Sequence, residues 1–487
     1  MMLMKDSSFK SKVVSSTLWS FVERFSTQLV QFIITVIMAR ILTPSDYGLI
    51  GMIAIFISLS QIFIDGGFSS ALIQRKDRSE TDYCTVFFIN LGISVALYIV
   101  LFFCAHPIAR FYSQPLLSPI LKVYAINLII NSFAAVNKTI LVIRLDFKTQ
   151  SKISFFSALG SGLIGIACAY GGAGVWALVI QTIIMSVLNV ILSYYWMRWF
   201  PKAIFSYESF RKLFSFGSKL LVASTISSVY DNLYSLVIGK KFSSDDLGYF
   251  TRGTSFVTIL SSNISSILGN VSYPILSQVQ DQNEVLLNIY RKYIQLSSFI
   301  IFPLLMMLCG IAEPLIEVLL TNKWAGCIMV IRILCFAYMW NGIIIINLSL
   351  LKIKGRSDLV LKLEIIKKTI AIAILFISLL FDSLSAICIG ILIYSLISLG
   401  INTYYTGVLF EYGLAKQFKE FGLYLLPSAA VLVLSWIPNI MIESPYISLL
   451  ISIVFSPIAY IFVSRKMGLY GYYEARELFG RLISKNK

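Results

Sequence analysis

The sequence predicts an all-α polytopic membrane protein with about fourteen transmembrane helices. Three observations carry this. Of 487 residues, 57% are hydrophobic and 13% charged, with a mean hydropathy of +0.82, whereas a soluble domain carries roughly 25% charged residues. The apolar residues fall into runs of about 20, enough for a helix to cross a bilayer core. A polar stripe in the first run, Arg24, Thr27, Gln28, Gln31 and Thr35, recurs 200 residues later as Ser224, Ser227, Ser228, Asp231 and Ser235.

In chain order the first group of spans covers 17–38, 47–68, 83–105, 119–143, 153–171 and 174–197. A basic N-terminal stretch without a small-residue cleavage site leads into the first span, so a removable signal peptide is not expected. The first turn, Pro44-Ser45-Asp46-Tyr47-Gly48, reads as a capped connection between helices, and Gly171-Gly172-Ala173-Gly174 joins spans five and six as a hairpin. The second group covers 214–238, 249–270, 293–312, 325–351, 361–381 and 384–406, and the last two spans cover 420–438 and 446–464. The stretch from Arg198 to Lys212, broken by Pro201, links the groups. No spacer exceeds about 25 residues, which leaves no room for a separate soluble catalytic domain.

Both polar stripes step by three and four, so each lines one helix face. Lipid-facing polar groups would cost several kcal/mol, which assigns such a face to a protein interior or a water-filled cavity. The ungapped register of 12–61 on 212–261 also repeats Lys12/Lys212, Ser15/Ser215, Asp46/Asp246, Gly48/Gly248 and Phe56/Phe256. An offset of six crossings leaves the two halves pointing the same way, as parallel repeats about an axis along the membrane normal. The expected organisation is an N-terminal lobe at 1–200, a C-terminal lobe at 201–410, and spans thirteen and fourteen with a tail at 411–487.

The net charge of +16 is explained by topology. With the N-terminus in the cytoplasm, about 30 of the 40 Lys and Arg fall in the tails and alternate loops and about six on the other side. Both termini are then cytoplasmic, and the basic balance serves orientation and attraction to membrane lipids rather than nucleic acid. The seven cysteines are scattered singly, and the acidic pair Asp245-Asp246 reads as a turn matched by Ser45-Asp46 in the first half, so neither a catalytic site nor a metal site is expected. The single histidine, His106, precedes Pro107 at a span end and reads as interfacial.

Ionisable residues inside spans are functional candidates by default. Arg24 and Lys138 lie toward the cytoplasmic side, Lys138 on a stripe with Asn127 and Asn131; Arg252 and Arg332 lie toward the outer side. With Gln28, Gln31 and Asp231 they form the candidate substrate-binding set, since a guanidinium presents a planar fork to phosphate oxygens and a lysine adds a point charge. Lys138 and Arg252 are also close enough to span ends to snorkel. Glu23 and Asp231 are the candidates to carry a coupling proton or sodium ion; the other reading of Glu23 is a pair with a cation on a neighbouring helix, and that of Asp231 a plain hydrogen-bonding role through Asn232 and the serines.

Several motifs, in order along the chain, resemble the polysaccharide-unit flippases, the Wzx and WzxC-like branch of the multidrug/oligosaccharidyl-lipid/polysaccharide (MOP) exporter superfamily. They are LWS at 18–20, ARILTPSDYGLIGM at 39–52, IDGGFSSALIQRKD at 64–77, IARFYSQP at 108–115, GGAGVWALV at 171–179, FSFGSKLL at 214–221, LVIGKKFSSDDLGYFTR at 236–252 and KGRSDL at 354–359. The resemblance implies the MOP exporter fold, with two six-helix lobes and alternating access. It also implies a substrate, an undecaprenyl-diphosphate-linked oligosaccharide moved across the bacterial inner membrane for lipopolysaccharide, capsule or exopolysaccharide assembly, with a polymerase and glycosyltransferases as partners of the pathway. Two rival readings stand beside it. A multidrug or organic-cation antiporter of the same superfamily would want a cavity for positive cargo, whereas the candidates here are mainly cations. A membrane polymerase or glycosyltransferase would want a large outer loop or an acidic catalytic motif, and this chain has neither.

Overall fold

In the computed structural model, residues 27–75, 77–474 and 476–477 are described, and every regular element among them is helical. Among the described residues, ten helical stretches are long and apolar enough to cross a membrane. Those left out include α1 (Thr27–Ile41), too short as described, and three helices with more polar or charged residues: α9 (Tyr207–Lys241), α10 (Ser244–Gln278) and α15 (Ser357–Ser378).

The chain divides into two compact units, up to Gly248 and from Tyr249 onward. The division falls inside α10, just after its first turn.

In the first unit, α2 (Pro44–Asp65) starts as the sequence leads one to expect. Thr43 caps it, with its Oγ1 accepting from Asp46 N at 3.3 Å while its own N–H donates to Asp46 Oδ2 at 2.8 Å. This reciprocal box satisfies two of the amides that a helix start leaves open. Gly66 and Gly67, both left-handed, end α2 and begin α3 (Phe68–Gln74). Next come α4 (Glu80–Tyr112), α5 (Leu117–Tyr124), α6 (Ile126–Ile143), and the hairpin of α7 (Phe147–Tyr170) and α8 (Val175–Met197). Helix α4 runs on through Pro107, so His106 is an exposed residue of that helix, beyond the span end drawn from sequence.

Helix α6 lies among α2, α3, α4 and α8. Phe68, Leu72, Val86, Phe87, Val136, Ile140 and Leu213 close one apolar cluster, and Ile64, Leu101, Ala125 and Leu128 a second. The segment from Arg198 is pinned rather than loose. Trp199 Nε1 donates to Glu80 Oε1 at 2.9 Å, Lys202 N to Cys84 Sγ at 3.3 Å, and Ser206 N to Thr85 Oγ1 at 3.1 Å. Helix α9 then packs on α2, α3 and α4 within this unit. At one end Gly217 and Gly67 touch backbone to backbone, since a Cβ on Gly217 would stand 2.5 Å from Gly66 O.

The second unit is organised around α11 (Asn283–Gly310). Around it lie α12 (Ala312–Leu320), α13 (Gly326–Tyr338), α14 (Asn341–Ile353) and the short α17 (Leu414–Phe421), with α16 (Leu384–Phe410) packed on α13 and α14. The last helices, α18 (Leu425–Met441) and α19 (Pro445–Lys466), pack on each other and on α11. Helix α15 packs against α16 and α14. Its inward stripe of Leu363, Lys367, Ala371 and Leu375 is buried.

Candidate functional site

The repeated stripes occupy two helices of the first unit. On α1, Gln28 and Thr35 are half-buried and Gln31 is exposed; Glu23 and Arg24 lie outside the described residues. On α9, Asp231 is exposed and Ser228 is 8% exposed. The buried edge of that stripe meets α2: Asn232 Nδ2 donates to Ser58 Oγ at 3.2 Å, and the Ser228 and Ser58 hydroxyls lie 3.3 Å apart. Asn232 also donates to Ser228 O at 2.9 Å. Ser58 is the residue that sequence reasoning missed. It is a lone hydroxyl in an apolar run, and only the stripe facing it gives it meaning.

On α6 the Lys138 side chain is exposed, Asn131 is half-buried and Asn127 is 2% exposed. Successive 100° steps place all three on one side of the helix. Neither amide atom of Asn127 finds a hydrogen-bond partner, and the same holds for the fully buried Asn90 and Asn137. The first unit thus presents amides from α1, a lysine from α6 and a carboxylate with serines from α9.

Arg252 and Arg332 belong to the second unit. Arg252 is half-buried. Arg332 Nη2 is 2.9 Å from Glu313 Oε2, so its charge is already matched by a carboxylate and a phosphate would have to compete for it.

Two acid-rich turns that could be mistaken for chemistry are caps. Ser243 and Asp246 repeat the Thr43/Asp46 box, with Asp246 N donating to Ser243 Oγ at 3.1 Å and Ser243 N donating to Asp246 Oδ2 at 3.2 Å. The two caps meet. The Ser45 and Ser244 hydroxyls are 2.6 Å apart, a Cβ on Gly48 would stand 1.8 Å from Ser244 O, and one on Gly248 would stand 2.0 Å from Pro44 O. The positions that repeat in sequence therefore touch crosswise: the start of α10 packs on α2, and the start of α2 on α10.

Lys367 lies inside the span expected at 361–381. It is 4% exposed, ten residues into α15, and its Nζ lies 2.5 Å from Glu364 Oε1. At about 1.5 Å per residue this is about 15 Å along the helix. The buried i, i+4 stripe on α15 is the signal that could have revealed it.

A separate recess of about 370 Å³ is lined by Ala71, Gln74, Arg75, Asp77, Lys212 and Leu213. Its charges are matched by neighbouring groups: Arg75 reaches Asp82 at 3.0 Å and Asp77 at 3.3 Å, and Lys212 reaches Glu208 at 2.5 Å. The hydrogen bond from Arg75 holds the Asp77 carboxyl below its usual range. The recess lies about 28 Å along α9 from Asp231, so it is not part of the stripe. Among the described residues no group of three His, Cys, Asp or Glu is placed to hold a metal.

The sequence profile of a family described as "Polysaccharide biosynthesis protein" matches residues 37–329. The teichuronic acid biosynthesis protein TuaB of Bacillus subtilis (strain 168) is 25% identical over 72% of this chain and 73% of its own length. The lipopolysaccharide biosynthesis protein WzxC of Escherichia coli (strain K12) is 22% identical over 74% of each chain. In fold, the chain is similar to the lipid II flippase MurJ in its inward closed conformation, with a TM-score of 0.75 and 14% identity, over 93% of this chain and 99% of that one. The all-helical, multispan fold is that of the MOP superfamily, and the chain belongs to the polysaccharide biosynthesis protein family, in its Wzx-like branch.

Proposed function

We propose that this protein flips an undecaprenyl-diphosphate-linked oligosaccharide unit across the bacterial inner membrane by alternating access. The carrying observation is that the chain belongs to the polysaccharide biosynthesis family; polar residues of the first unit, Gln28 and Gln31 on α1, exposed Lys138 on α6 and Asp231 on α9, support the reading as a lining for the headgroup. A polar headgroup cannot cross an apolar core unaided, and hydrogen-bonding side chains of this kind replace its lost water. No covalent step is required, so the protein acts as a transporter and not as an enzyme.

In this reading the lobes, 1–200 and 201–410, rock about the cavity while 411–487 rides with the second. Arg24 binds the lipid diphosphate when the cavity faces the cytoplasm. Lys138 adds charge beside it, and Arg252 and Arg332 offer later contacts toward the outer side. Glu23 or Asp231 carries the coupling proton or sodium ion. The name of MurJ, a lipid II flippase of the same fold, supports lipid-linked cargo. The cationic character of the candidates favours an anion over the organic cations of a multidrug antiporter.

The test is flipping of a fluorescent lipid-linked oligosaccharide in proteoliposomes. Arg24→Ala should reduce the rate sharply, and Arg24→Lys should recover part of it, because the charge stays but the planar fork is lost. Full activity in folded Arg24→Ala would make Arg24 a structural cation.

A further inference from the structure

Helix α17 is only eight residues long, yet one side of it is fixed by a dense polar clasp in the second unit. Gln417 is 0% and Glu420 7% exposed. Gln417 Nε2 donates to Tyr412 O at 3.0 Å, and its Oε1 accepts from Asn347 Nδ2 at 3.1 Å. Glu420 accepts from Arg291 Nε at 2.7 Å, from Tyr412 Oη at 3.1 Å, and from Gln295. A helix held this way cannot roll, so the residues on its other side face outward permanently.

That side has two flanks. Leu414 and Phe418, at i and i+4, are 43% and 52% exposed; Lys416 and Lys419, at i and i+3, are exposed beside them. Leu423 and Leu426, 52% and 74% exposed, follow Lys419 at i+4 and i+7, so below the lysines the outward surface turns apolar toward α18. Height follows from the helix lengths. The 17 residues of α18 and the 3-10 turn Gly422–Tyr424 together rise about 32 Å, which fills a hydrocarbon core of about 30 Å. The stretch Leu414–Met441 is thus longer than the core needs by about the length of α17, whose lysines suit the headgroup level. The surroundings add positive charge: Lys354 Nζ is 5.6 Å from the Phe410 ring, while exposed Glu411 precedes the helix.

We infer that α17 is a docking site for anionic phospholipid headgroups of the leaflet on which it lies. Leu414 and Phe418 enter the acyl boundary, and Lys416 and Lys419 bind the phosphates. Glu420 and Gln417 join this contact to α11 and α14, so bound lipid steadies that end of the unit.

The experiment uses the full chain in nanodiscs of phosphatidylcholine mixed with phosphatidylglycerol, with native mass spectrometry reading the ratio of the two lipids retained. A lysine near an anionic surface contributes about fivefold in affinity. Lys416→Gln with Lys419→Gln should therefore lower the phosphatidylglycerol preference at least about fivefold. Lys416→Arg with Lys419→Arg should keep it, and Phe418→Ser should lower retention of both lipids alike. Arg465→Gln with Lys466→Gln removes the same charge from exposed residues at the end of α19 and should leave the ratio unchanged. An unchanged ratio in the folded Lys416/Lys419 glutamine variant would overturn the inference. An equal fall in the Arg465/Lys466 variant would do the same, by showing general attraction only.

Discussion

Gly48 and Gly248 make the most direct test of the crossed contact between α2 and α10. A Cβ added at Gly48 would stand 1.8 Å from Ser244 O, whereas a carbon settles about 3.3 Å from a carbonyl oxygen. The two backbones must therefore separate by about 1.5 Å or accept overpacking of about 1–3 kcal/mol. The Gly248 side has the same geometry, 2.0 Å from Pro44 O. One separation relieves both clashes, so Gly48→Ala with Gly248→Ala should cost clearly less than the sum of the single variants. The assay is oxidative crosslinking of Ser45→Cys with Ser244→Cys, whose native hydroxyls are 2.6 Å apart, in a background where exposed Cys104 is replaced by Ser. At about 1.4 kcal/mol per tenfold, Gly48→Ala should slow crosslinking on the order of tenfold. Crosslinking at the unmodified rate in Gly48→Ala would refute the close approach of the two backbones.

Three further outcomes are expected. Asn347 Oδ1 accepts from Tyr290, Thr406 and Gln417 at 2.8, 2.7 and 3.2 Å, so Asn347→Leu strands buried donors and should cost about 2–4 kcal/mol in unfolding experiments in detergent; an undetectable loss would show that the network contributes nothing to stability. Lys367→Met should destabilise by about 1–2 kcal/mol, discounted because the Glu364 side chain is 39% exposed, and adding Glu364→Gln should restore most of it; equal stability of the single and double variants would remove the ion pair's role. A cysteine at Lys354 should react with a membrane-impermeant thiol reagent only from the cytoplasmic side and one at Asn322 only from the outside, and the reverse pattern would overturn the topology.

The sequence alone determined the class of the molecule. Its apolar runs, their spacing and the low charge fix an all-helical membrane protein, because a hydrocarbon core leaves backbone amides no partner except within a helix or a closed barrel. Local signals of cap and hairpin were equally readable, since Thr43/Asp46, Ser243/Asp246 and Gly171-Gly172 act over three or four residues. The polar stripes were legible as faces for the same reason: helical periodicity is a short-range property. What the stripes meet was not legible, because a partner on another helix leaves no trace at fixed spacing. Only the tertiary structure set Ser58 against Ser228 and Asn232, and Glu313 against Arg332. It also buried Lys367 beside Glu364 and turned the repeated Gly48 and Gly248 into one crossed contact. Each depends on which neighbour a helix face packs against, which the chain decides only when the helices come together.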